Sequence, residues 1–141
     1  MAPASRATLL VDGACGVCCW GALQIAARID GLALSTIQRH LGSELAELGA
    51  DRALASWHLL RCGQIVSGAD VIPALLALAG RRRQAVLACR MLPALRPAYR
   101  ALAATRAFWS RAVPAERRSA ARELLDREDS IRVARSGRLR R

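Results

Sequence analysis

The sequence predicts a mixed α/β fold: a βαβ unit, then a β-hairpin and a helix, with additional C-terminal helices. Three observations carry that reading. Ala7 to Val11 is a short apolar, partly β-branched run stopped by Asp12-Gly13, and its length assigns it to a buried strand. From Gly16 the apolar residues recur at helical spacing, and a second β-type run, Leu32 to Ile37, follows after only a short turn. Two further short runs flank Arg61-Cys62-Gly63-Gln64, which has the character of a hairpin turn.

The elements follow in order. The first helix places Val17, Trp20, Leu23, Ile25, Ala27 and Ile29 on an apolar face, leaves Gln24 and Arg28 for water, and ends at Asp30-Gly31. Lying between Ala7–Val11 and Leu32–Ile37, it is the crossover of two parallel strands. Gly42 to Leu54 is rich in Ala, Glu and Leu and reads as a short helix with Ser43 as N-cap. Ser56 to Leu60 alternates as a strand and pairs back with Ile65 to Ser67. Ser67 or Asp70 caps the next helix, whose apolar residues are Val71, Ile72, Leu75, Leu76 and Leu78. Pro73 falls in its first turn, where a missing N–H costs little, and Gly80 closes it. After Arg81 to Arg83, helical segments broken near Pro93 and Pro97 line up Tyr99, Leu102, Phe108 and Trp109, with Arg96, Arg100, Arg106 and Arg111 on or beside that face. Glu116 to Leu125 reads as a last helix and Arg132 to Arg141 as a frayed tail.

Composition bounds the function. The chain has 141 residues, the size of one domain, and 53% of them are hydrophobic against 4% aromatic, so Leu, Ala, Val and Ile must build the core. All 22 basic residues are Arg, a usage typical of GC-rich coding, so the formal charge of +11 is weak evidence for a nucleic-acid partner. Residues 1–60 carry four Arg against five acids, whereas residues 61–141 carry eighteen against six. That asymmetry fits either a surface for an anionic partner or membrane headgroups, or a solvated basic tail. No nucleic acid is expected, because aromatics to stack bases are few and no Gly-rich phosphate loop is present. The longest apolar run, Val71 to Ala79, contains Pro73 and falls short of the roughly 18 residues of a membrane span. No secretory h-region is visible, so the expected address is the cytoplasm, where thiols are kept reduced.

Five cysteines, Cys15, Cys18, Cys19, Cys62 and Cys89, are then no disulfide framework, and three of them crowd into five residues. Cys15-Gly16-Val17-Cys18 follows a buried strand and opens a helix. Free backbone N–H groups and the positive end of the macrodipole stabilise a thiolate at Cys15, and the thiolate is the form that attacks a disulfide. Two intervening residues bring Cys18 one turn on, close enough to resolve a mixed disulfide. Asp12 is the third candidate, either as acceptor of a thiol proton or as a turn residue capping the amides of residues 13–15. Cys19 points to another side of the helix and reads as a small buried residue.

The stretch Val11-Asp12-Gly13-Ala14-Cys15-Gly16-Val17-Cys18 resembles the opening motif of the DCC family of thiol-disulfide oxidoreductases, roughly Tyr-Asp-Gly-x-Cys-x-x-Cys. The resemblance continues at Asp30, at Gly68-Ala69-Asp70, and at Tyr99 to Arg106, which echoes a Tyr-x-x-x-Ala-x-x-Arg pattern; it covers about residues 8–111. It implies a thioredoxin-like domain over residues 7–111, with residues 112–141 as an Arg-rich helical extension. It also implies a redox pair at Cys15 and Cys18, with Asp12 as the family's Asp. Two departures stand out. Val11 replaces the family's Tyr, and no Pro precedes the strand at Ala55 to Trp57, where thioredoxins place a cis-Pro.

The expected function is thiol–disulfide exchange without a cofactor beyond the cysteine pair, on a protein or small-molecule disulfide, with a separate recycling reductant or oxidant. Two other readings stay open. One is a basic docking module for a membrane surface or acidic partner. The other is a small zinc protein, although Cys15 and Cys18 supply only one ligand pair and Cys62, Cys89, His40 and His58 are scattered singly. A Cys–His nucleophile pair has no mark in the sequence, since nothing singles out either His as a base.

Overall fold

The computed structural model describes residues 7–138, with side chains described to residue 127. Strand β1 (Thr8–Val11) leads through a loop into α1 (Gly16–Ala26) and on to β2 (Ala33–Thr36). Two short helices follow, α2 (Ile37–His40) and α3 (Ala50–Leu54), before the hairpin of β3 (His58–Arg61) and β4 (Gln64–Ser67). Then come α4 (Val71–Leu78), α5 (Arg82–Arg90), α6 (Leu92–Ala104), α7 (Arg106–Ser110) and α8 (Ala115–Arg138).

The four strands form one sheet in the order β2-β1-β3-β4. β1 runs parallel to β2 with Val11 beside Thr36, and antiparallel to β3 with Leu10 beside His58. This is the order and direction expected of a thioredoxin-like fold. β1 is buried on both faces, which is why it reads as an unbroken apolar run. Alternate side chains point to opposite faces, so Leu9 and Val11 join a core with α1, α4 and α8, while Leu10 joins one with Ile37, Leu45 and Ala53. The hairpin turns on Cys62 and Gly63, both at positive φ (51° and 74°), the conformation a two-residue loop needs to match strand twist.

Several boundaries differ from the sequence reading. The first helix ends at Ala26, and the second strand stops at Thr36, with Ile37 starting α2. The stretch Gly42 to Leu54 is not one helix, because Gly49 at φ 74° breaks it between a 3-10 turn at Ala46–Leu48 and α3. Ser43 caps no helix and instead donates its hydroxyl to Glu44. Asp70 stands at the N-cap position of α4, but neither it nor Ser67 makes a side-chain capping bond there: the Ser67 hydroxyl bonds His58 Nδ1 at 2.7 Å, and Asp70 pairs with Arg96 at 3.2 Å. Pro93 lies at the start of α6, but Pro97 sits inside it without breaking it, on an exposed stretch where water can take the freed carbonyl.

The largest difference is at the C-terminus. The last helix begins at Ala115 and its backbone stays helical through Arg138, covering most of the segment read as a tail; residues 139–141 lie outside the described residues. α8 runs against α1 and β2, and its Ala121 and Leu125 are buried in the main core beside Leu9 and Cys19. The segment read as an extension therefore closes the outer face of the helix that carries the cysteine pair.

Candidate active site

Parallel pairing brings the C-terminal ends of β1 and β2 to the same edge of the sheet, and the loop after β1 is built there. Asp12 Oδ1 accepts the Ala14 N–H at 2.9 Å and the Gln38 side-chain amide at 2.7 Å, while Gln38 Oε1 accepts the Gly13 N–H at 3.0 Å. The Asp12 carbonyl accepts the Cys15 N–H at 3.1 Å. Gly13 is required, since a Cβ there would meet Thr36 Cγ2 at 2.8 Å. The turn-capping role read for Asp12 is thus realised, and Gln38 doubles it from α2, just past the end of β2.

Cys15 is the N-cap residue of α1, in extended conformation, and Cys18 lies in its first turn. Their sulfurs are at disulfide distance and their Cα atoms 5.3 Å apart, inside the range a disulfide spans. Gly16 between them is covered by the Arg118 side chain of α8, whose guanidinium donates to Ser110 Oγ at 2.6 Å. Cys19 is fully buried with its thiol directed at the carbonyls of Asp12 and Gly13, at 3.6 and 3.8 Å, and burial pushes that thiol up to about 11. It is a packing residue.

A cleft of about 450 Å³ opens beside Cys18, lined by Asp12, Val17, Trp57, Leu75, Leu102 and Trp109 among others. Two residues of the late helices shape its mouth. The Tyr99 hydroxyl accepts the Trp57 N–H at 2.9 Å, and burial raises its own proton affinity. Arg106 donates to the Leu54 carbonyl at 3.0 Å and faces Asp12 Oδ2 at 3.5 Å, so a cation from α7 meets the carboxylate of the β1 loop. The Tyr and Arg of the C-terminal pattern therefore converge on the cysteine loop and on the stretch before β3.

A family model, DCC1-like thiol-disulfide oxidoreductase, matches residues 9–112. The chain belongs to that family. No curated protein and no solved structure matches it. In this DCC1-like protein the match begins within β1 and ends before α8, so Cys15, Cys18, Asp12, Tyr99 and Arg106 fall inside it, whereas Arg118 does not.

The other sequence candidates are placed apart. His58 is buried, donating from Nε2 to the Ala53 carbonyl and accepting from Ser67, both at 2.7 Å, and burial holds its pKa down. It ties α3 to the hairpin. His40 bonds Glu44 at 2.8 Å and Ser35 at 3.2 Å, and the bonds from Ser43 and His40 lower the Glu44 pKa to about 2. Cys62 and Cys89 are exposed. Among the described residues no three His, Cys, Asp or Glu side chains gather as a metal site would require. Also among the described residues, no helix is long and apolar enough to cross a membrane. Gln38, Trp57 and Arg118 escaped the sequence reading; Gln38 alone had a signal, as a polar residue just after a strand parallel to β1.

Proposed function

We propose that the protein exchanges thiols and disulfides through Cys15 and Cys18. The observation that supports this best is the pair itself: two sulfurs at disulfide distance across the first turn of α1. In the reduced state Cys15 is the attacking thiolate. As an N-cap its sulfur can accept from the free amides of the first turn, whose orphan N–H groups and macrodipole favour the anion. Cys18 resolves the mixed disulfide by attacking the Cys15 sulfur. Asp12 is a positioning residue that holds the turn through Oδ1 and meets the Arg106 guanidinium through Oδ2.

The proposed setting is cytoplasmic, with a recycling thiol or disulfide partner. Docking on an anionic surface is supported by α5, where exposed Val86 and Leu87 lie among Arg82, Arg83 and Arg90. The deciding experiment is a redox titration of the full chain in graded thiol–disulfide buffers, with free thiols counted by mass after alkylation. A two-electron transition abolished by Cys15→Ser and by Cys18→Ser is expected. A pair that stays reduced across the whole range would defeat the reading.

A further inference from the structure

Across Ser56, Gly68 and Tyr99, which line both, the cleft beside Cys18 adjoins a wider groove of about 820 Å³ that carries Arg52, Arg96 and Arg100 on its walls. The two parts differ in chemistry. Next to the cysteine the walls are chiefly apolar, with Trp57, Leu75 and Leu102. Arg52, Arg96, Arg100 and Arg106 line the outer groove with one carboxylate, Asp70; Arg96 pairs with Asp70, and Arg106 is already paired with Asp12 of the cleft. Arg52 and Arg100 have no carboxylate partner among the described residues.

Resting on the disulfide-exchange reading above, we infer that this groove selects a low-molecular-weight disulfide bearing anionic groups rather than an extended protein chain. Charge complementarity is the first argument: surplus guanidinium groups on a concave wall bind carboxylate or phosphate through charge-assisted hydrogen bonds. Backbone accounting is the second. An extended chain docks by pairing with free peptide groups, yet both groups of Trp57 beside the cleft are engaged. Its N–H goes to the Tyr99 hydroxyl at 2.9 Å, and its carbonyl accepts the Gly68 N–H at 3.0 Å. Size is the third, since both cavities lie within the roughly 300–1,000 Å³ of small-molecule pockets.

The chemistry balances. The Cys15 thiolate attacks one sulfur of RSSR, forming Cys15–S–S–R and breaking the R–S–S–R bond, and RS⁻ leaves. The Cys18 thiolate attacks the Cys15 sulfur, expels the second RS⁻ and closes the Cys15–Cys18 disulfide. The dithiol loses two electrons, RSSR becomes two RSH, and the two protons from the cysteines end on the released thiols.

The test measures second-order oxidation of the reduced full chain by glutathione disulfide, coenzyme A disulfide, neutral bis(2-hydroxyethyl) disulfide and cationic cystamine. The anionic disulfides should outpace the neutral one about tenfold, and cystamine should be slowest, with the preference fading in about 1 M salt. The ratio of glutathione disulfide to bis(2-hydroxyethyl) disulfide rates should fall about tenfold in the Arg52→Gln/Arg100→Gln variant. Glutathione disulfide leading would identify a carboxylate ligand and coenzyme A disulfide a phosphate one, either supporting the inference. Equal rates for all four, insensitive to salt and to the variant, would overturn it. So would a pair that titrates but is oxidised only by protein disulfides. If the pair shows no redox transition in any buffer, the exchange reading itself fails instead.

Discussion

Replacing Gly16 by alanine tests how closely α8 is fitted to the cysteine turn. A Cβ at that position would lie 2.7 Å from Arg118 Cβ and 3.3 Å from its Cγ. Carbon atoms in contact sit about 3.5–4.0 Å apart, so the shortfall approaches about 1 Å. The obstacle is the root of the Arg118 side chain, which no rotamer change can move. The helix itself must shift, and it carries Ala121 and Leu125, 2% and 1% exposed, in the main core. Overpacking of this kind costs about 1–3 kcal/mol, and alanine's better helix propensity offsets at most about 1 kcal/mol of it. The expected net loss is about 1–2 kcal/mol, or a Tm lower by roughly 3–8 °C. Urea unfolding of the oxidised protein should show most of that loss disappear in the Arg118→Gly background, which removes the Cβ. Arg118→Ala, which keeps it, should give no rescue. A stabilised Gly16→Ala protein, or an equal loss in the Arg118→Gly background, would refute the reasoning.

Three further outcomes follow from the same structure. Leu125→Ala should cost about 2–5 kcal/mol in urea unfolding because it empties a fully buried site; a loss under about 1 kcal/mol would mean that α8 does not close the core. Burial depresses the His58 pKa in the folded state, so the unfolded chain binds the extra proton below its ordinary value of about 6.5. Stability is then full above that pH and declines as pH falls through the folded pKa. Urea midpoints at pH 7.5, 6.5 and 5.5 that do not decrease would contradict this. With its thiol pushed up to about 11, Cys19 should be only on the order of a thousandth thiolate at pH 8. Timed alkylation read by mass should therefore modify exposed Cys62 and Cys89 well before Cys19, and a comparable Cys19 rate would show that the core opens readily.

How much of this was legible depended on whether the signal was local. β1, α1 and the hairpin announce themselves through apolar spacing and through Asp12-Gly13 and Cys62-Gly63, while the pairing of β1 with β3 that joins the two units has no local signal. Cys15 and Cys18 were legible because a Cys-x-x-Cys between a strand and a helix is itself a local pattern. Gly49 was not, since a glycine inside an Ala- and Glu-rich stretch looks like a tolerated helix residue until its φ of 74° is seen. The helix at Glu116 to Leu125 was legible, but its continuation to Arg138 and its place in the core were not, because Ala121 and Leu125, its anchors, stand among arginines that dilute the apolar period. Tyr99 and Arg106 stood out only through resemblance; what they do depends on contacts 42 and 52 residues away, with Trp57 and Leu54, which no periodicity encodes.

The hydrogen bonds that frame the cysteine turn have a consequence for how its oxidation state could be sensed. Ala14 to Asp12, Gly13 to Gln38, Cys15 to the Asp12 carbonyl and Cys19 to the Cys15 carbonyl all use backbone or side-chain groups other than the two sulfurs. None of them has to break when the sulfur–sulfur bond opens. The frame therefore does not depend on the sulfur–sulfur bond, and opening that bond asks for little more than two side-chain rotations. Amide exchange at Gly13, Ala14 and Cys15 should look alike in dithiol and disulfide, with any difference confined to the first-turn amides of α1 that face the Cys15 sulfur. Any partner that tells one from the other must touch the sulfurs themselves or the charge that appears on them.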